Sequence, residues 1–206
     1  MKRFALACRL LLGLALLIHA CTPPENVTPT PPKGDYYPTR LGGEWTYEST
    51  YSSRWDTSSG LHTETALRDT LYEDQNYTYF GLQLVRKENG NYYRRIRTYG
   101  FGEEFIFLKD YLPVGGTWTH SSYPGHQAEF TILAIHQEKE VNGVVYRDVI
   151  EVEKKDFFTY DANDTRLTRT LRTLYARNVG EIYSRDDTAH EDMGDLENKL
   201  VRYQLP

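Results

Sequence analysis

Cysteine is almost absent from this chain: two occur in 206 residues, at positions 8 and 21. A framework of disulfides is excluded by that count, even for an oxidising compartment. Proline is scarce after Pro38, where Pro113, Pro124 and the terminal Pro206 are the only ones. No segment keeps helical periodicity over three turns, which argues against a helical bundle. The uncharged run Leu10–Ala20 is too short to span a bilayer, which takes about 20 apolar residues.

Motifs that carry chemistry are also missing. No Gly-x-Ser-x-Gly elbow marks a serine nucleophile. The six histidines, at 19, 62, 120, 126, 136 and 190, form no His-x-x-x-His pair with a third ligand. The acidic stretch from Asp186 to Asp192 lacks the glycine and spacing of a calcium loop. Asp161-Ala162-Asn163-Asp164 fails the same test, because Arg166 stands where glycine is needed. Glu103/Glu104 and Glu151/Glu153 are carboxylate pairs of the kind glycosidases use. Strand alternation, however, gives Glu151 and Glu153 an outward, solvated role. The sequence therefore predicts no catalytic residue, no metal site, no cofactor and no enzymatic activity.

What is present begins at the N-terminus. Lys2, Arg3 and Arg9 precede the apolar run, and Ile18-His19-Ala20-Cys21 follows from it. A basic start and a short apolar core make a signal peptide. An ordinary secretory cut after Ala20 would want a small residue at position 18, and isoleucine is poor there. An uncleaved anchor would want a longer run. An aliphatic residue three before a cysteine, with a small residue next to it, fits a bacterial lipoprotein signal. On that reading residues 1–20 are removed and Cys21 carries lipid as the first residue of the mature chain. Cys8 is lost with the signal, so a lone cysteine in an exported protein is accounted for. Residues 21–35 hold Pro23, Pro24, Pro29, Pro31 and Pro32. Such a chain favours extended polyproline geometry and makes a tether of up to roughly 40 Å.

Removing Lys2, Arg3 and Arg9 shifts the formal net charge from −5 to −8. An acidic domain is a poor partner for nucleic acid and for anionic lipid surfaces. The membrane is then held through Cys21 alone, and the expected location is the cell envelope, at the outer membrane. Residues 36–206 suffice for one domain with a real core.

That domain reads as all-β. Seventeen tyrosines, with threonine- and valine-rich runs broken by Gly and Asn, favour strands. Asn89-Gly90 and Asn142-Gly143 are hairpin signals. Strands are predicted at 44–51, 64–72, 77–86, 92–99, 104–109, 117–121, 129–138, 145–153, 168–177, 181–185 and 199–205. In 77–86, Phe80, Leu82 and Leu84 share a face. Residues 52–62 and 157–164 read as loops, and 186–198 as an acidic stretch with room for a helical turn. The architecture expected is an antiparallel sheet forming a sandwich or an open or half barrel.

Two segments resemble each other: Pro38 to Tyr47 and Pro113 to His120 both read proline, aliphatic, Gly-Gly, any residue, Trp-Thr. Gly42, Gly43 and Trp45 match Gly115, Gly116 and Trp118, and the tryptophans stand 73 residues apart. Gly102 and Gly180 make a second match, 78 residues apart. Similar offsets suggest two tandem repeats, about 36–109 and 110–206. Gly-Gly permits a sharp turn that sends each tryptophan into the core at the start of a strand. On the predicted strand 92–99, Tyr92, Arg94, Arg95, Arg97 and Tyr99 would form a surface able to hold an anionic glycan or peptide.

Three stretches carry a resemblance to a known group: Tyr37 to Trp45, Tyr146 to Val152, and Leu174-Tyr175-Ala176-Arg177-Asn178-Val179-Gly180. They are similar to motifs of bacterial lipoproteins of unassigned function common in Bacteroidota. The resemblance covers most of the mature chain and implies a β-rich outer-envelope lipoprotein.

The expected function is thus a lipid-anchored, non-catalytic module that binds or scaffolds an envelope protein, glycan or lipid. A carrier of acyl chains is the alternative, which predicts an apolar cavity lined by Phe80, Leu84 and Ile132. A core plugged by Trp45 and Trp118 would speak against it. A glycan-active hydrolase is a further alternative, which predicts two carboxyl groups facing each other in a cleft.

Overall fold

A computed structural model describes residues 34–96, 102–161, 164–188 and 194–206. Cys21, the tether up to residue 33, and Arg97 and Tyr99 lie outside these residues. The strands are β1 (Glu44–Ser52), β2 (Thr57–Tyr72), β3 (Gln75–Phe80), β4 (Gln83–Glu88), β5 (Asn91–Ile96) and β6 (Phe105–Lys109). They continue as β7 (Thr117–His120), β8 (His126–Val141), β9 (Val144–Asp161), β10 (Asp164–Ala176), β11 (Gly180–Thr188) and β12 (Asp195–Gln204). All pairings are antiparallel, as the sequence leads one to expect.

The strand order is β6-β5-β4-β3-β2-β1-β12-β11-β10-β9-β8-β7. The first and last strands pair in the middle of this order. Its two ends, β6 and β7, are joined by the short link 110–116, so the sheet must curl until they meet. The result is a nearly closed barrel rather than a sandwich. At the seam, Trp118 Nε1 donates to the Ile106 carbonyl at 2.8 Å. Phe105 lies 6.4 Å from the Phe130 ring and 5.7 Å from His120. Side chains thus close the barrel where no ladder pairs β6 with β7.

The two Gly-Gly turns have the same construction. Gly42 donates to the Ala66 carbonyl and Ala66 returns a bond to Gly43, both at 2.9 Å. Gly115 donates to Ile132 at 2.8 Å and Ile132 returns a bond to Gly116 at 2.9 Å. The φ angles of Gly42 and Gly115 are +81° and +83°, left-handed values that suit glycine. Each turn delivers a buried tryptophan, 4% exposed at Trp45 and 8% at Trp118. Trp45 Nε1 donates to the Val179 carbonyl at 2.6 Å. So each indole reaches from its own half, β1–β6 or β7–β12, to backbone of the other. Gly102 and Gly180 are not placed alike: Gly102 precedes β6, whereas Gly180 opens β11.

The barrel interior is one apolar cluster that includes Phe80, Phe107, Phe130, Ile132, Val152 and Leu200. The first residues after the tether join it. Tyr36 and Tyr37 are 2% and 5% exposed. Tyr36 N donates to the Tyr92 hydroxyl at 2.9 Å, and Tyr37 packs edge-on against Phe80 and Phe107.

Several boundaries differ from the sequence reading. Residues 57–62 belong to β2, because Thr57, Ser58 and Ser59 pair with Ser52, Tyr51 and Thr50. Both faces of this stretch are exposed, so it shows no alternation. The predicted strand 77–86 is two strands, β3 and β4, turned at Gly81 (φ +46°). Leu82 is therefore exposed while Phe80 and Leu84 are buried. The predicted loop 157–164 is mostly strand, with Phe157 paired to Leu167. In the acidic stretch, Asp186 pairs with Leu171 and Leu196 in the sheet, so strand replaces the helical turn outside residues 189–193. Glu153 is covered rather than solvated, held by Lys155 at 2.8 Å and Arg172 at 3.3 Å.

Candidate functional site

Strand length creates the site. The β3, β4 and β5 strands are 6 residues each, whereas β2 has 16 and β10 has 13. The barrel wall drops at the β3–β4 turn, and a cavity of about 640 Å³ opens above it. That volume is in the range of small-molecule sites.

The rim is apolar. Leu67, Leu82 and Ile96 line the opening and are 56%, 71% and 47% exposed. Leu171 and Leu196 face them from β10 and β12. Phe80 carries the apolar lining inward.

The floor is polar and charged. It is built by Glu64 on β2, Gln83 on β4, Arg94 on β5 and Glu181 on β11. Arg94 Nη2 stands 3.9 Å from Glu181 Oε2, and the guanidinium lies over Phe107 at 4.2 Å from the ring centre. Among the described residues, Arg94 Nε and Nη2 find no hydrogen-bond partner. The Glu64 carboxylate accepts from Gln83 Nε2, at 3.5 and 3.4 Å to its two oxygens. Gln83 also donates to the Tyr37 hydroxyl at 3.3 Å, which ties the floor to the interior aromatic cluster. Burial pushes both Glu64 and Glu181 above the ordinary carboxylate range, and the Arg94 charge opposes that shift. Higher on the wall, Arg169 and Asp186 form a two-pronged ion pair.

Glu181 reaches the floor through a register slip. The β10–β11 pairing shifts between Leu174 and Tyr175, opposite Tyr183 and Glu181. The slip puts Glu181 on the same side as Ser184 and Asp186, which strict alternation would forbid.

The residues singled out on the predicted strand 92–99 occupy separate places. Tyr92 is fully buried at the base, where it donates to Asp110 Oδ2 at 3.1 Å and accepts from Lys87 Nζ at 2.6 Å. Arg94 lies on the cavity floor. Arg95 is on the outside, bound to Glu73 at 2.5 Å and to the Tyr77 hydroxyl at 3.2 Å. Period-two alternation separates Arg94 from Arg95. Of the expected carrier lining, Phe80 lines the cavity, Ile132 is fully buried in the core, and Leu84 is fully buried beside Arg95, outside the interior cluster. Glu64, Gln83 and Glu181 were not singled out in the sequence as cavity groups. The inward phase His62-Glu64-Ala66 on β2 is the signal that could have found Glu64.

No family model matches the chain, and no curated protein matches it. Among solved structures, it is similar to a Bacteroides fragilis protein described as exported and as having a YmcC-like fold. The TM-score is 0.51 at 10% identity, over 83% of this chain and 99% of that one. At that identity, the likeness concerns the fold alone.

Proposed function

We propose that this chain is an exported cell-envelope protein, lipidated at Cys21, whose barrel is a non-catalytic binding module. The observation that carries the reading is the cavity of about 640 Å³ with an apolar rim and a charged floor. An apolar rim left in water is costly, and a buried charged floor is costlier. Both costs fall when a ligand with an apolar part and a polar part fills the space. The signal sequence of residues 1–20 with Cys21 behind it supports export and anchoring, and the description of the Bacteroides fragilis protein of similar fold as exported supports export. The cavity differs from that of a carrier for purely apolar chains, because Glu64, Arg94 and Glu181 line it.

Mass spectrometry of the protein purified from its own membranes tests the reading. The expected result is a reproducible small amphiphile, released on denaturation and reduced by Leu82→Arg at the rim. Repeated preparations without any bound species would overturn it.

A further inference from the structure

Among the described residues, the charged groups lining the cavity do not balance. Arg94 stands against Glu181, and Arg169 is paired with Asp186. The third carboxylate, Glu64, accepts only from a neutral amide, Gln83, at long distance, and shares the single Arg94 charge with Glu181. His62 also lines the wall, and its Nδ1 is engaged by the Ser49 hydroxyl at 2.7 Å.

We propose that the cavity takes an amphiphile with a primary-amine head, the ammonium against Glu64 and the apolar chain leaving past Phe80 and Leu82. This rests on the binding-module reading above and names its ligand class. An ammonium supplies the donors that Glu64 lacks and cancels the unbalanced charge of the lining. A carboxylate head would add a second unbalanced negative charge to a poorly solvated space. It could bond the Arg94 donors, but only by bringing a further negative charge beside Glu64 and Glu181. A neutral hydroxyl would give Glu64 one hydrogen bond and no charge compensation. The rim then does for the chain what the floor does for the head: Leu67, Leu82 and Ile96 give up exposed apolar surface to it.

Titration calorimetry of the folded protein with decylammonium, decanoate and 1-decanol, each below its aggregation limit, tests the class. Decylammonium is expected to bind about tenfold tighter than either of the others. Glu64→Gln, nearly isosteric, is expected to abolish that preference while leaving 1-decanol binding in place. Gln83→Lys, which installs a resident ammonium beside Glu64, is expected to do the same. Equal or tighter binding of decanoate or 1-decanol by the unaltered protein would overturn the amine class and leave the cavity as a binding site. An ammonium preference that survives both substitutions would assign it to the acidic outer surface and overturn the proposal. Binding of none of the three would remove the binding-module reading together with it.

Discussion

Trp118 and Ile106 are joined by an indole N–H bond of 2.8 Å to backbone carbonyl, across the seam where β6 and β7 share no ladder. The corresponding junction between β12 and β1 is a full ladder. A side chain therefore does at one junction what backbone does at the other. Trp118 also stacks flat on Phe130 at 5.1 Å, which holds the donor in place.

Trp118→Phe keeps a stacked ring but removes the donor and leaves the Ile106 carbonyl unmatched. A loss of about 1–3 kcal/mol is expected in urea unfolding. Trp118→Ala should cost about 3–5 kcal/mol, since ring and bond both go. Trp55, exposed at 77%, is the control: its alanine variant should stay within about 0.5 kcal/mol of the parent.

The Gly-Gly turns give a graded test. Gly42 holds φ at +81° with open space around its Cα, so Gly42→Ala meets backbone strain only and should cost about 1 kcal/mol. Gly43→Ala would place a Cβ 2.7 Å from the Trp45 ring and 3.0 Å from the Arg40 carbonyl. It should destabilise more, because the core holds the Trp45 ring and the turn bond to Gly43 N holds the Arg40 carbonyl. Gly60 lies in β2 with open space and no positive φ, so Gly60→Ala should be neutral or slightly stabilising. Thermal unfolding of the three variants checks the order.

Two glutamates should respond to pH in opposite directions. Burial raises Glu64 above the ordinary 4.5, so the unfolded chain ionises first as pH rises. Stability is lost from about pH 4.5 upward until Glu64 ionises in the folded state. Glu64→Gln should therefore gain stability relative to the parent over that window and match it in stronger acid. Glu104 is lowered overall, because hydrogen bonds from Arg86 and Tyr77 outweigh its burial. Arg86 grips both its oxygens at 2.7 Å, and Tyr77 donates at 2.5 Å. Its contribution is present above pH 4.5 and lost as pH falls through the lowered value. Glu104→Gln should cost about 1–3 kcal/mol at neutral pH, with the gap closing in acid. Urea midpoints across that range read both.

Anchoring gives the last test. Cys21→Ser should move the protein from the membrane to the soluble fraction, because an acidic barrel has little charge-based attraction to anionic lipid. Retention in washed membranes would refute lipid at Cys21.

Several strands were legible before the structure. β1, β6 and β7 fall within a residue of expectation, and both Asn-Gly hairpins turn with positive φ, +50° and +77° at the first and +51° and +75° at the second. The turn at Glu73-Asp74, with φ of +48° and +61°, has no glycine to announce it. Thr57–Ser59 and Phe157–Asp161 read as loops because both their faces meet solvent, so burial leaves no period in them.

The site was legible only in part. Arg94 was visible as one of several arginines on a strand, but its separation from Arg95 depends on which face turns inward. Glu181 shares the floor only because of the register slip beside it. The cavity itself comes from a difference in height between β3–β5 and their neighbours across the sheet.

Local chemistry determined the rest from sequence alone. Period-two alternation and turn residues made the domain all-β, and Gly-Gly before tryptophan set where each indole enters the core. Which strands meet, that the circuit opens between β6 and β7, and that Glu64, Arg94 and Glu181 converge were decided by tertiary structure. These depend on register and curvature over the whole sheet. A local pattern specifies which residues favour a strand; only ring closure specifies what that strand faces across the barrel.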